Sequence, residues 1–221
     1  MTDDRLRVLN LYAGLGGNRK DWPDHFDVTA VEIHPDIAAF YGDQFPDDEV
    51  VVGDAHAYLR EHYDEFDFIW SSVPCQTHSR VSRMSWASDE AHNMNREPQY
   101  PDMRLYQEVI FLREFFDGDW AVENVISYYE PLIEPQTVGT HYIWSNYHIP
   151  AYDGDPGPGE WTNPPNEKFE AHLGFDLSGY EFEGERKDQL LHNCVDPELG
   201  RHVVDARTKQ STLPVREVAD A

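Results

Sequence analysis

Four short apolar runs separated by helical segments restrict the fold more than anything else in this chain. Leu6-Arg-Val-Leu-Asn-Leu11, Asp27-Val-Thr-Ala-Val-Glu-Ile33, Val50-Val-Val-Gly-Asp54 and Phe66-Asp-Phe-Ile-Trp70 each read as a strand. Between them lie a short helical segment from Asn18 to Trp22, a helix from Pro35 to about Phe45 with proline suited to its first turn, and a helix from Ala55 to His62. Strand, helix and strand in repetition predict an α/β domain built on a doubly wound, mostly parallel sheet. In such sheets ligands bind outside the carboxyl ends of the strands, so the residues at those ends are the first candidates for chemistry.

Each strand ends on a residue that invites a reading. After the first comes the glycine-rich turn Tyr12-Ala-Gly-Leu-Gly-Gly17, which allows close backbone approach to a ligand but lacks the spacing of a dinucleotide fingerprint. A plain strand-to-helix connection is the alternative. The second strand reaches Glu32, 18 positions after Gly14, where a carboxylate can accept both hydroxyls of a ribose. Asp54 ends the third strand and could hold an adenine amino group or simply cap the next helix. The fourth runs into Pro74-Cys75-Gln76, where proline stops the ladder and places a thiol at a strand's carboxyl end. Cys75 could be a nucleophile, if its thiolate is stabilised, or a small space-filling residue.

A chain of 221 residues with 40% hydrophobic side chains can bury a full core and suits one domain with a small appendage. No apolar run approaches the roughly 18 residues of a membrane span, and no basic-then-apolar signal opens the sequence, so a cytoplasmic protein is expected. Two cysteines, Cys75 and Cys194, are too few for a disulfide framework and match no metal-ligand spacing. The 42 acidic residues against 17 basic ones give a net charge of -25, spread along the chain, which suggests a surface adapted to high salt, with an ordinary acidic cytosolic protein as the alternative. Such acidity opposes nucleic-acid binding at low salt. At molar salt the screening length falls to about 3 Å, and the repulsion is largely removed.

Taken together and in order, Tyr12-Ala-Gly-Leu-Gly-Gly17, Glu32, Asp54, Pro74-Cys75-Gln76 and Glu123-Asn-Val125 closely resemble the cytosine-5 DNA methyltransferase family. With the acidic composition, a short haloarchaeal or viral member is expected. The resemblance implies a Rossmann-like fold that uses S-adenosyl-L-methionine, bound by Tyr12, Ala13, Gly14, Leu15, Gly16, Gly17, Glu32, Ile33, Asp54, Ala55, Pro74 and Asn193. It implies catalysis by Cys75, Gln76, Glu123 and Asn124. Cys75 would add to carbon 6 of cytosine while Glu123, ending the strand Trp120-Ala-Val-Glu, supplies a proton at ring nitrogen 3 and Asn124 orients the turn. Thr77 to Arg104 resembles the family's mobile loop, with Arg80, Arg83, Arg96 and Arg104 as DNA-binding residues around a flipped-out base; a solvated surface loop is the alternative. No metal is implied.

Beyond Glu123 the pattern thins. Asp102 to Phe116 reads as an amphipathic helix with Leu105, Val109, Leu112 and Phe116 on one face. His141 to Asn146 and Tyr147 to Ile149 read as late strands. From Asn124 to Glu185 there is no arginine, although the family usually places one here against the cytosine carbonyl oxygen; His141 or a loop arginine could replace it. The domain reading is a catalytic and cofactor-binding core over 1–150, an irregular, much-reduced target-recognition region over 151–187, a returning segment over 188–207 and a flexible tail over 208–221. Methylation of duplex DNA is the expected function, with a partner restriction enzyme allowed for. An RNA cytosine-5 methyltransferase and a degenerate, non-catalytic DNA- or cofactor-binding protein are the alternatives.

Overall fold

The computed structural model describes residues 5–80, 83, 84, 99–154 and 165–210. Its sheet contains β1 (Leu6–Leu11), β2 (Phe26–Glu32), β3 (Glu49–Val52), β4 (Phe68–Ser72), β5 (Asp119–Val125), β6 (Gln136–Val138) and β7 (His141–Ser145). The order is β3-β2-β1-β4-β5-β7-β6, parallel throughout except for β7, which runs antiparallel to both neighbours. This is a doubly wound, Rossmann-like order, as the strand and helix pattern of the sequence leads one to expect. The chain leaves β1 toward β3, then crosses back to place β4 on β1's other side. That reversal opens a crevice at the carboxyl ends of β1 and β4.

Helices cover both faces. Helices α1 (Pro35–Gln44), α2 (Ala55–His62), α3 (Arg104–Phe115), α4 (Asn166–Leu173), α5 (Lys187–His192) and α6 (Pro197–Gln210) follow in chain order. Alternation along each strand decides which helix it meets. Leu9, Leu11, Ile69 and Val122 face Leu59 of α2 and Leu105, Val109 and Leu112 of α3. Val8, Val28, Phe68 and Ala121 face Leu199, Val203, Val204 and Ala206 of α6. Fully burying each large aliphatic side chain of α6 contributes about 1.5–3 kcal/mol, so packing rather than helix propensity holds it.

Several boundaries differ from the sequence reading for local reasons. Asn18 to Trp22 is not a helix but a run of turns, with Arg19 N–H donating to Gly16 O, Lys20 to Gly17 O and Trp22 to Arg19 O. Pro23 has no amide with which to continue, and the buried Trp22 packs edge-on against Phe26 and Phe68. The fourth strand starts at Phe68 because the Asp67 carboxylate turns back to Arg7, accepting from its backbone N–H at 2.9 Å and its guanidinium at 3.2 and 3.3 Å. The third strand ends at Val52, which leaves Gly53-Asp54 as the lead into α2. Helix α3 begins at Arg104 because the Asp102 carboxylate accepts the Arg104 N–H at 3.0 Å. Tyr147 to Ile149 is not a strand. The late hairpin pairs β6 with β7 instead, around Gly139, whose φ of 58° a two-residue turn requires.

Residues 151–187 also depart from an irregular reading, since α4 forms within them. Phe169, Leu173, Phe175, Leu177 and Phe182 pack on Leu15, Ile37 and Phe40, which ties this segment to α1 and the glycine-rich turn. The His34 ring bonds the Glu183 carbonyl at 2.8 Å, and the Asp36 carboxylate accepts the Glu183 N–H at 2.9 Å. No helix among the described residues is long and apolar enough to cross a membrane.

Candidate active site

The glycine-rich turn sits at the β1 side of the crevice and is locked from several directions. A Cβ on Gly16 would lie 2.3 Å from the Phe45 ring, and one on Gly17 would lie 2.3 Å from the Val195 carbonyl and 2.9 Å from the Cys194 sulfur. Only glycine fits there. The carboxyl-terminal segment thus returns to this turn through Cys194 and Val195. The Asn193 side chain is exposed and accepts from Gln189 at 2.9 Å. Burial against the turn pushes the Cys194 thiol up to about 12, which keeps it protonated. Ala13, Leu15 and Ala55 are buried and act through packing.

Glu32 ends β2 beside the turn. One carboxylate oxygen accepts the Gly14 N–H and the other the His34 N–H, both at 2.9 Å. A carboxylate offers about four lone-pair positions, so two stay available for a diol. Asp54 accepts the Ala57 N–H at 3.0 Å through Oδ1 and caps α2. Next to these carboxylates two apolar side chains face solvent: Ile33 is 67% exposed and Val52 55%. Exposed aliphatic side chains at two adjacent strand tips beside two carboxylates fit an adenosine, whose base is apolar-faced and whose ribose carries hydroxyls. Val52 escaped the sequence reading, although its place directly before Gly53-Asp54 marks it. Replacing Glu32 by alanine should weaken S-adenosylmethionine binding roughly 10- to 150-fold, the range for losing hydrogen bonds to a charged acceptor. Titration calorimetry checks this, and unchanged affinity would make the acidic tip purely architectural.

Across the crevice, β4 delivers Pro74 and Cys75. The half-buried Cys75 holds its turn through its backbone carbonyl, which accepts the His78 and Ser79 N–H groups at 2.9 and 3.0 Å. Gln76 beside it is exposed. Strand β5 runs parallel to β4 with Ser72 opposite Glu123. The Asn124 side chain is 1% exposed and donates to the Val73 carbonyl at 2.8 Å, so the residue after Glu123 grips the chain two residues before Cys75. Thiol and carboxyl therefore come from adjacent strand ends joined by a buried hydrogen bond.

Glu123 is buried, and that burial raises its pKa above the ordinary carboxyl value. His141 opposes the shift from β7, with Nε2 3.7 Å from the carboxylate, and a Ser72 hydrogen bond opposes it from β4. A second tie joins the two strand ends further out. His78 is fully buried, its Nδ1 lies 2.6 Å from the Tyr129 hydroxyl, and burial lowers its pKa so that it stays neutral.

The four arginines expected on DNA fare differently. Arg80 and Arg83 are exposed; the first donates to the Ser127 carbonyl at 3.0 Å, and the second lies 5.4 Å over the Tyr128 ring. Arg104 opens α3 and pairs with Asp102 at 2.5 Å. Arg96 lies outside the described residues. A further polar group missed by the sequence reading is Glu108 of α3, fully buried below the glycine-rich turn. An acid on the stripe formed by Leu105, Val109 and Leu112 was its visible signal.

Comparison with known proteins agrees with this geometry in part. The C-5 cytosine-specific DNA methylase family matches residues 6–96, which include the glycine-rich turn, Glu32, Asp54 and Cys75 but not Glu123. The chain resembles that family, and the match indicates S-adenosylmethionine as cofactor. No curated protein matches significantly. Among solved structures, an E. coli protein assigned as a prophage-encoded DNA modification methyltransferase is 25% identical over 57% of this chain and 33% of its own, with a TM-score of 0.36. A DNMT2 mutant from Spodoptera frugiperda is 21% identical over 54% and 35%, at 0.36. A TehB-like SAM-dependent methyltransferase from Corynebacterium glutamicum is 18% identical over 53% and 54%, at 0.32. This chain thus covers about a third to a half of these three structures' lengths. With such scores, the fold rests on the strand order itself.

Proposed function

We propose that this protein transfers a methyl group from S-adenosylmethionine to carbon 5 of cytosine in DNA, through a covalent adduct with Cys75. The observation that carries the reading is the pairing of Cys75 with Glu123 at adjacent strand ends, clamped by the Asn124 to Val73 hydrogen bond. Glu32 and Asp54, with Ile33 and Val52 beside them, would hold the cofactor, which supplies an electrophilic methyl group on its sulfonium.

The chain's own residues do the rest. The Cys75 thiolate forms a bond to carbon 6, and the ring electrons it displaces make carbon 5 nucleophilic. Glu123 gives its proton to ring nitrogen 3 as that charge develops, a role suited to a carboxyl whose hold on its proton is strengthened by burial. Once carbon 5 has taken the methyl group and given up its own proton to water, Cys75 leaves as thiolate and ring nitrogen 3 returns its proton to Glu123. The cytosine must leave the stack to reach this crevice, and Arg80 and Arg83 are placed in the role of phosphate ligands meanwhile. A reducing cytoplasm suits the chemistry, since an oxidised thiol cannot add to the ring. Residues 166–187 are assigned to bracing the cofactor side rather than to reading bases, because they pack on α1 and Leu15.

Incubating the protein with duplex DNA, RNA and methyl-labelled cofactor, then digesting and measuring 5-methylcytosine by mass spectrometry, tests the proposal. Label in DNA supports it. Label only in RNA moves the substrate, and none in either leaves a binding protein. Because 42 acidic side chains repel the phosphate backbone, methylation is expected to rise with KCl toward molar concentration, where screening acts within about 3 Å. A maximum near 0.1 M with steady decline above it, as counterion release dictates for ordinary DNA-binding proteins, would remove the high-salt reading.

A further inference from the structure

The apolar stripe of α3 is interrupted by a carboxylate: Glu108 is 0% exposed between Leu105 and Leu112. A charge so placed would be very costly if unpaired, so its partners define what it does. Its Oε1 accepts the Tyr12 hydroxyl at 2.5 Å and lies 2.9 Å from His56 Nδ1, while Oε2 accepts the Ser71 hydroxyl at 2.6 Å. These partners come from the glycine-rich turn, from α2 just after Asp54, and from β4 on its way to Cys75. Arg104, one turn earlier on α3, and Asp54 are the other charged groups that act on the cluster.

Tyr12 has a positive φ, 54°, which among the described residues no other non-glycine residue shares. A side-chain-bearing residue adopts that conformation only when its surroundings over-determine it. Here the restraint is visible, because the phenol is anchored 96 positions away in sequence. Released from Glu108, Tyr12 could relax and carry the amides of Ala13 and Gly14 out of line with Glu32.

We propose that Glu108 is a positioning residue for the cofactor site, holding Tyr12 in its left-handed conformation and thereby aiming the glycine-rich turn at its ligand. The proposal rests on the reading of this crevice as the S-adenosylmethionine site. The same carboxylate raises the His56 imidazole above its ordinary value, chiefly through their hydrogen bond, which provides a spectroscopic reporter of the tie.

The test is S-adenosylmethionine calorimetry on wild type, Tyr12→Phe, Glu108→Gln and the double variant, with the His56 ring titration followed by NMR. Each single change should weaken binding about tenfold, the scale of one hydrogen bond to a charged group, and the double should lose little more than either. The His56 midpoint should fall in Glu108→Gln and stay in place in Tyr12→Phe. Wild-type affinity in Tyr12→Phe, losses that multiply in the double variant, or an unmoved His56 midpoint in Glu108→Gln would overturn the proposal. Should Glu108→Gln fail to fold, Tyr12→Phe decides alone, since it removes one hydroxyl and keeps the ring. Wild type that binds no S-adenosylmethionine would overturn the cofactor reading together with this one, whereas any of the other failures leaves that reading standing.

Discussion

Replacing Cys75 by alanine is expected to leave a folded, cofactor-binding protein whose methyl transfer is reduced by a factor on the order of 10⁴ or more, the scale for removing a covalent nucleophile. Folding should survive because the turn at Cys75 is held by its backbone carbonyl, which alanine retains along with the bonds from His78 and Ser79. Affinity for S-adenosylmethionine should survive because Glu32, Asp54 and the glycine-rich turn belong to β1, β2 and β3 rather than to β4's end. DNA carrying 5-fluorocytosine should trap wild type as a covalent complex, since fluorine blocks the proton loss that releases the thiol, and it should not trap the variant. A denaturing gel reads the trap and a labelled-methyl assay reads the rate. Undiminished turnover without the sulfur would end the covalent mechanism.

The parts of this molecule legible in its sequence are those where local pattern and chemistry coincide. Apolar runs ending in Glu32, Asp54 and Cys75 announced both the sheet and the residues at its functional edge, because parallel strands are buried and only their tips can be polar. What stayed hidden depends on contacts distant in sequence. Asn18 to Trp22 has a helix's composition, yet Trp22 is drawn into the core and Asn18 binds Asn10 at 2.8 Å. The segment before residue 187 looked irregular because glycine, proline and acids dominate it, but its phenylalanines find Phe40 and Leu15 and α4 forms against them. Glu108 was readable as an anomaly on an apolar stripe, although its three partners were not. Its meaning lies in Tyr12, His56 and Ser71 meeting at one point.

Glu123→Gln should lower methyl transfer by about 10²- to 10⁴-fold, the usual contribution of a positioned general acid, while leaving the fold intact. Glutamine has the same shape and can still bond Ser72, but it has no proton to give to ring nitrogen 3. The change should also leave a signature in stability. Burial raises the Glu123 pKa in the folded protein, against the opposing pull of His141 and Ser72. Below the ordinary carboxyl value both folded and unfolded chains hold the proton, and Glu123 contributes no pH dependence. As pH rises from there toward the raised folded value, the unfolded chain ionises first and the fold loses stability; above the folded value the loss is complete. Glutamine does not titrate, so the stability difference should open in the variant's favour across that window and then level off. Denaturant melts of both proteins between pH 4 and 8 measure the difference, and a flat one would mean that Glu123 ionises as readily inside the fold as outside it. A carboxyl that behaves so would be a poor proton donor at neutral pH. The acid would then have to be sought elsewhere at the crevice, beginning with His141, whose Nε2 lies 3.7 Å from that carboxylate.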